Sequence, residues 1–265
     1  MKYIRNFLPQ FCRSMMINQK WSPEAYHHAG SFVPDLASDL LNDLNPKRNE
    51  KILDLGCGNG VLTKKILRST KNVVGVDSSD AMVQAAKEIG IDSYLIDGEA
   101  IPYRNMFDAV FSNAVLHWIQ NQDAVLRGVH ECLKPKGRFV GEFGGFGNIS
   151  SLIGVIEQVM DSHSIFDSFD NPWYFPTTQE YQKKLTDNGF CVKSIDLIQR
   201  PTFLKTDLKD WLKVFASHIT SSMSIAVEDL FLREVQKAAE TKLFSESTGW
   251  VLDYVRLRFY AVKIK

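Results

Sequence analysis

The 265 residues are 45% apolar and 23% charged, a balance suited to a water-soluble globular protein with a sizeable core. Lys plus Arg and Asp plus Glu number 31 each, so no overall field draws the chain to nucleic acid or to an anionic membrane. No apolar run is long enough to span a bilayer. The cysteines, Cys12, Cys57, Cys132 and Cys191, form no CxxC pair, which argues against a zinc site or a disulfide framework and for a reducing, cytoplasmic setting.

The opening "MKYIRNFLPQFCRSMMINQK" has its apolar stretch broken by Pro9, Gln10 and Arg13, so residues 1–20 are expected to be a flexible arm rather than a signal peptide. Translation could equally start at Met15 or Met16. Residues 21–265 read as a single domain. "SFVPDLASDLLNDLNP" predicts an amphipathic helix ending before Pro46.

From Lys51 to Phe146 the apolar runs "KILDLG", "NVVGVD", "SYLIDG", "FDAVFSNA" and "GRFVGEFGG" alternate with helical patterns at Val61–Thr70, Asp80–Ile89 and Asp123–Leu133. That alternation predicts right-handed crossovers and a parallel sheet with helices on both faces. Ser79 or Asp80 can cap the second of these helices, and Gly90 can end it. Farther on, "TTQEYQKKLTDNGF" reads as a helix ended by Gly189, and "VKSIDLIQRP" and "VRLRFYAVK" as two more strands, seven in all. Between those two strands, Asp207 to Phe244 is helical and too long for a simple connection, which makes it a candidate helical cap. The ligand-binding core is expected at about 48–146, with acceptor-side additions at about 21–47, 147–178 and 203–250.

"LDLGCGNG" carries the chemistry. A strand, a glycine turn and a helix in succession aim backbone N–H groups and a helix N-terminus at a ligand, and Gly56, Gly58 and Gly60 are expected to clear its approach. A dinucleotide fold would place Gly or Ala where Val61 stands. Three acids close successive strands: Asp54, Asp77 and Asp97. Asp77 is placed to accept both hydroxyls of a ribose, while Asp54 and Asp97 could simply cap turns.

In this order, "LDLGCGNG", "VVGVDSSDAMVQAA", "YLIDGEAIPY" and "FDAVFSNAVLHWI" resemble the class I S-adenosylmethionine-dependent methyltransferases, over about 51–145. "FSNAVLHWI", with the upstream "WSPEAYHHAGSFV", is similar to the trans-aconitate methyltransferases and to the malonyl-carrier-protein methyltransferases. The resemblance implies a Rossmann-like α/β fold, a mostly parallel seven-stranded sheet whose last strand is antiparallel and internal. It implies S-adenosyl-L-methionine as cofactor, S-adenosyl-L-homocysteine as product, and no metal. Gly56, Cys57 and Gly58, with Asn59 and Gly60 in the same turn, would lie along the methionine and ribose, and Asp54 near the amino group. Asp77 would take the ribose hydroxyls, Ser78 and Met82 would flank the adenine, and Asp97 and Gly98 would meet its amino edge beside Glu99 and Ala100. Ser112, Asn113 and Ala114 would floor the site behind the sulfonium, and Tyr26 would close over the methionine end. Cys57 is a departure from the family pattern, though a common variant, and its thiol reads as packing rather than reactive.

Ligands of such sheets bind beyond the carboxyl ends of the strands, where the fourth strand delivers His117 and Trp118 and the fifth delivers Glu142. His117 could be a general base, but a carboxylate acceptor is already nucleophilic, so shaping the pocket or capping a backbone group is the expected role. His27 and His28 read as surface or lid residues. An acid-bearing acceptor needs an arginine. Tyr254, Arg256, Arg258 and Tyr260 share one face of the last strand; its start lies at the active-site edge if the strand is antiparallel, which favours Tyr254 and Arg256. Arg200 is a second candidate, and the plainer reading pairs these arginines with surface acids. Trp173, Tyr174 and Phe175 could wall the pocket. The expected activity is methyl transfer to a carboxylate oxygen of a small molecule, trans-aconitate-like or bound to an acyl carrier protein. The alternatives are N-, C- or phenol O-methylation, or cofactor binding without turnover. Nucleic acid is disfavoured as a partner, no Asn-Pro-Pro-Tyr motif following the fourth strand, and a monomer is expected.

Overall fold

The computed structural model describes residues 21–29 and 38–264, with the side chains of Tyr26, His27, Ala29 and Ser38 outside the described set. The expected arm at 1–20 therefore lies outside the described residues, as does the first half of the "SFVPDLASDLLNDLNP" segment. Among the described residues two short helices, α1 (Pro23–Ala29) and α2 (Ser38–Leu44), precede the sheet.

The alternating half runs β1 (Lys51–Leu55), α3 (Val61–Ile66), β2 (Asn72–Asp77), α4 (Asp80–Glu88), β3 (Ser93–Leu95), β4 (Phe107–Asn113), α5 (Gln122–Cys132) and β5 (Leu133–Gly144). There follow α6 (Ser150–Ser162), α7 (Thr178–Asp187), β6 (Phe190–Phe203), α8 (Leu208–Phe215), α9 (Ser217–Thr220), α10 (Ile225–Leu243), β7 (Phe244–Ser245) and β8 (Gly249–Lys263). The sheet order is β3-β2-β1-β4-β5-β8-β6, and the two-residue β7 pairs with β8 off that path. β1 to β5 are parallel, while β8 runs antiparallel to both β5 and β6. This is the mostly parallel, Rossmann-like sheet with one inserted antiparallel strand that the resemblance implied.

Both faces are covered, which is why the central strands read as unbroken apolar runs. On one face Leu53, Val110, Phe139, Phe143 and Phe259 pack beneath Val125 and Leu126 of α5 and Tyr181 and Leu185 of α7. On the other, Ile52, Val73, Phe111 and Val140 meet Leu40 and Leu44 of α2 and Ile66 of α3. A third core joins α6, α8 and α10 through Val155, Ile156, Leu212, Phe231 and Val235, over the first half of β8 at Leu252 and Tyr254. This helical cap sits where the segment from Asp207 to Phe244 was expected to lie.

The cap differs from that expectation in two ways. The stretch is broken into three helices, because the chain leaves helical geometry at Ala216 and again between Ser221 and Ser224. Helix α6, which the sequence reading left unassigned, supplies the cap's other half. Helix ends elsewhere follow their signals: Ser79 Oγ accepts from the Met82 N–H at 3.4 Å, and Gly90 (φ 86°) and Gly189 (φ 85°) close α4 and α7. Among the described residues no helix is long and apolar enough to cross a membrane.

Candidate active site

The turn after β1 is tied to the end of β2. The N–H groups of Gly56 and Cys57 both donate to the Val76 carbonyl, at 2.8 and 3.0 Å, and Gly58 N–H donates to Asp77 Oδ2 at 2.9 Å. Asp77 Oδ1 accepts from the Ser79 N–H, also at 2.9 Å. Burial raises the Asp77 carboxyl above the usual range, against these N–H bonds, which act the other way.

The three glycines have different reasons to be glycine. All have positive φ, 72°, 54° and 82° in order. A Cβ on Gly56 would lie 2.1 Å from the Val115 side chain, and one on Gly60 would lie 2.8 Å from Ile91. Only Gly58 of the three has nothing within 4 Å of such a Cβ. The expectation that all three clear a ligand is therefore narrowed: Gly58 faces open space, and the other two allow close internal packing. Cys57 is likewise packing, its Sγ set 2.8 Å from where a Gly75 Cβ would be, and burial pushes its thiol far up.

Asp54 is 2% exposed and accepts a hydrogen bond from Thr63 Oγ1 at 2.6 Å. Burial pushes its carboxyl up to about 7, with Thr63 opposing and Asp77 assisting. Ser112 Oγ donates to the Leu55 carbonyl at 3.0 Å, stitching the ends of β4 and β1, and Asn113 ends β4 beside it. Ala114 turns left-handed (φ 59°) with its N–H on the Glu142 carbonyl at 2.7 Å. Asp97 caps the short 3-10 turn Gly98–Ala100 by accepting from the Glu99 N–H at 2.9 Å. Met82 is on the buried face of α4, and Ser78 is exposed at the end of β2. Tyr26 lies on α1 with its side chain outside the described set.

Next to Ala114 opens a cleft of about 450 Å³, counting the space open to solvent. Of the expected acceptor residues, His117, Trp118, Trp173, Tyr254 and Arg256 line it. Trp173 lies parallel to Phe175, centroids 6.0 Å apart, and Trp118 meets both His117 and Trp173 at 5.1 and 6.2 Å. His117 Nδ1 accepts from the Gly144 N–H at 3.3 Å, which leaves the ring proton on Nε2. Burial, and then Arg256, hold this imidazole neutral by pushing its pKa well below the usual value. Arg256, 7% exposed, has its guanidinium carbon 4.6 Å from the centre of the Tyr254 ring, and Tyr254 Oη accepts from Trp211 Nε1 at 2.7 Å.

Glu142 and Arg200 stand apart from the cleft lining and are engaged with each other. Both oxygens of Glu142 are used: Arg200 donates to each, and Arg258 Nε donates to Oε2 at 2.7 Å. Arg258 also reaches the surface acid Asp43 at 3.4 Å, as the plainer reading has it, whereas the acid that both arginines share, Glu142, is buried. Tyr174 sits on the opposite side, its ring 6.4 Å from Tyr181, with only its N–H reaching the His117 carbonyl at 3.0 Å.

Sequence reasoning missed Trp21, Asn148, Ile149, Trp211 and Phe215, all of which line the cleft. Trp21 opens the quoted "WSPEAY" segment, and Trp211 and Phe215 are four apart on one face of α8. Asn148 follows three glycines in "GGFGN", a polar residue in a turn beyond a buried strand.

A profile described as "Methyltransferase domain" matches residues 53–141. Over 92% of this chain and 98% of the relative, the sequence is 38% identical to "Uncharacterized methyltransferase C70.08c" of Schizosaccharomyces pombe. The chain belongs to the class I S-adenosylmethionine-dependent methyltransferases. This methyltransferase is also 34% identical to "Trans-aconitate 2-methyltransferase" of Mycobacterium tuberculosis, over 42% of the chain and 44% of that relative. Its fold recurs at 18% identity and a TM-score of 0.57 in a phosphoethanolamine N-methyltransferase 2 of Haemonchus contortus, in complex with phosphomonomethylethanolamine and S-adenosylhomocysteine. That match covers 92% of the methyltransferase and 57% of the other chain. Among the described residues of the methyltransferase no cluster of three His, Cys, Asp or Glu could hold a metal ion.

Proposed function

We propose that this methyltransferase esterifies a carboxylate oxygen of a small acceptor bound in the aromatic cleft, in the cytoplasm. One observation supports the acceptor class above others: among the described residues lining the cleft, Arg256 is the one permanently charged side chain, and none is a carboxylate. A cationic amine would meet the like charge of Arg256, whereas a carboxylate gains a charge-assisted partner there.

When bound, S-adenosylmethionine supplies an electrophilic methyl group on a sulfonium. The open side of Gly58 gives the main chain room for a ligand, and the Asp77 carboxylate beside it is suited to ribose hydroxyls. Asp54, held by Thr63, is the group for the amino end. Asp97, Gly98, Glu99, Ala100, Ser78 and Met82 would frame the adenine, and Ser112, Asn113 and Ala114 would floor the methionine side towards the cleft. His117 needs no role as a base here: its Nδ1 is committed to Gly144, and a carboxylate brings no proton to remove. The chain's contribution is to align the acceptor oxygen and exclude water, a contribution worth up to ~7–11 kcal/mol for ideal placement.

A methyl-transfer screen with labelled donor over acids, phenols and amines tests this reading. Esterified acids are expected as products, and Arg256→Ala should keep S-adenosylhomocysteine binding while losing acid turnover. Methylation confined to amines or phenols would refute the acceptor class.

A further inference from the structure

Gly144, the last residue of β5, has polar groups gathered around it. A Cβ there would sit 2.9 Å from Asn148 Nδ2 and 2.3 Å from the Phe175 ring. Its partner across β5 and β8 is Arg256, and its N–H is already used by His117. Asn148 is 3% exposed and accepts at Oδ1 from the Val255 N–H, 3.0 Å away, so its amide presents N–H groups on the Gly144 side. Two donors, one charged and one neutral, therefore border the same glycine, and both line the cleft.

Apart from the His117 Nε2–H, the remaining walls are flat aromatic and aliphatic surfaces. Trp21 meets Trp118 edge-on at 5.2 Å and Phe215 at 6.2 Å, and Trp211 lies 5.1 Å from Phe215. Such walls bind planar groups through ring contacts and burial. Among the described lining residues they supply no second cation, so the desolvation of a second or third carboxylate would be poorly compensated.

We propose that Asn148 and Arg256 form a clamp for a single carboxylate, and that the acceptor is a monocarboxylic acid with a planar aromatic or conjugated body rather than a di- or tricarboxylate. This rests on the carboxylate reading above. In the transfer, one carboxylate oxygen forms a bond to the methyl carbon while the carbon–sulfur bond breaks and its electron pair stays on sulfur. The acceptor becomes a neutral ester, the sulfonium a neutral thioether, and no proton moves. Because the acceptor loses charge on the way, the clamp holds the ground state at least as tightly as the transition state. Asn148 therefore governs KM rather than kcat.

The test compares indole-3-acetate and trans-cinnamate with trans-aconitate and the neutral cinnamamide. Binding to the S-adenosylhomocysteine complex is followed by the fluorescence of the cleft tryptophans, and ester formation with labelled donor. The monoacids should bind and be esterified, with cinnamamide binding at least about tenfold more weakly. Trans-aconitate should have the lowest kcat/KM of the acids. Asn148→Asp keeps the acceptor for Val255 N–H but replaces the donor by a negative charge. It should raise the monoacids' KM about tenfold or more, with kcat within about threefold and an unchanged affinity for S-adenosylhomocysteine. Trans-aconitate esterified as well as the monoacids, or an unchanged KM in Asn148→Asp, would overturn the proposal while leaving carboxylate methylation standing. If no acid is methylated and an amine or phenol is, the carboxylate reading falls first and takes this one with it. Should Asn148→Asp not fold, the wild-type ranking of mono- against tricarboxylate decides alone.

Discussion

At Gly56 and Gly58 the same residue type answers two demands, and substitution separates them. Gly56→Ala forces a Cβ to 2.1 Å from Val115 at a φ of 72°, so left-handed strain of about 1–2 kcal/mol adds to overpacking of about 1–3 kcal/mol. Gly58→Ala meets only the strain, about 1–2 kcal/mol, because nothing lies within 4 Å. Denaturant unfolding should rank Gly56→Ala as the less stable, while calorimetry should find S-adenosylhomocysteine affinity reduced in the folded Gly58→Ala protein. A Gly58→Ala variant with full affinity would remove that turn from the cofactor's path.

Asp54 makes a pH prediction. Its carboxyl is raised to about 7, so the folded protein binds a proton that the unfolded chain has lost above the ordinary carboxylate range. Its ionisation therefore costs stability progressively as pH rises from near 4 to about 7. A ligand ammonium beside it favours the charged form and expels the proton. S-adenosylhomocysteine affinity should thus climb with pH up to about 7 and then level off, with proton release detectable by calorimetry in buffers of different ionisation heat. 5′-Methylthioadenosine, which lacks the amino acid portion, should bind without that pH dependence. Equal pH profiles for the two ligands would separate Asp54 from the amino group.

Among the elements, β5, β6 and β8 are locked together by charge. Glu142 of β5, 2% exposed, takes Arg200 from β6 and Arg258 from β8. Glu142→Gln would leave two arginines facing a neutral amide. With both arginines partly solvated, the loss should be about 2–3 kcal/mol, below that of a fully buried pair. Chemical denaturation measures it, and a change under about half a kcal/mol would make the network decorative. The same elements mark what the sequence made legible. β1 to β5 were readable because strands covered on both faces are apolar runs, each of the first three closed by an acid at a turn. Helix α6 was missed although Leu152, Val155, Ile156 and Val159 have helical spacing, because the residue before it is Ile149, left-handed at φ 48° and without a side-chain cap.

On the scale of the whole molecule, the glycine turn and the aromatic cleft differ in how the chain builds them. Asp54, Gly58 and Asp77 lie within one β–α–β crossover, so their grouping can be read locally. The cleft draws Trp21, Trp118, Asn148, Trp173, Trp211 and Arg256 from six separate segments, and only tertiary folding brings them together. That is why Arg256 and Trp173 were found by strand polarity and composition, and Asn148 by neither. Ligand linkage acts on the whole fold as well: a hundredfold excess of S-adenosylhomocysteine over its dissociation constant should add about 2.7 kcal/mol. A thermal melt checks this, and an unmoved transition would argue that the turn does not hold the cofactor.

The placement of β8 between β5 and β6 bears on biosynthesis. β6 emerges from the ribosome before its one neighbour in the sheet exists, and must wait through the synthesis of α8, α9 and α10. During that interval the nascent chain exposes the β5 and β6 edges that β8 will pair, a state that invites chaperone capture or self-association. The cleft is thus completed only after β6 is made, when the strand carrying Arg256 slides into the gap.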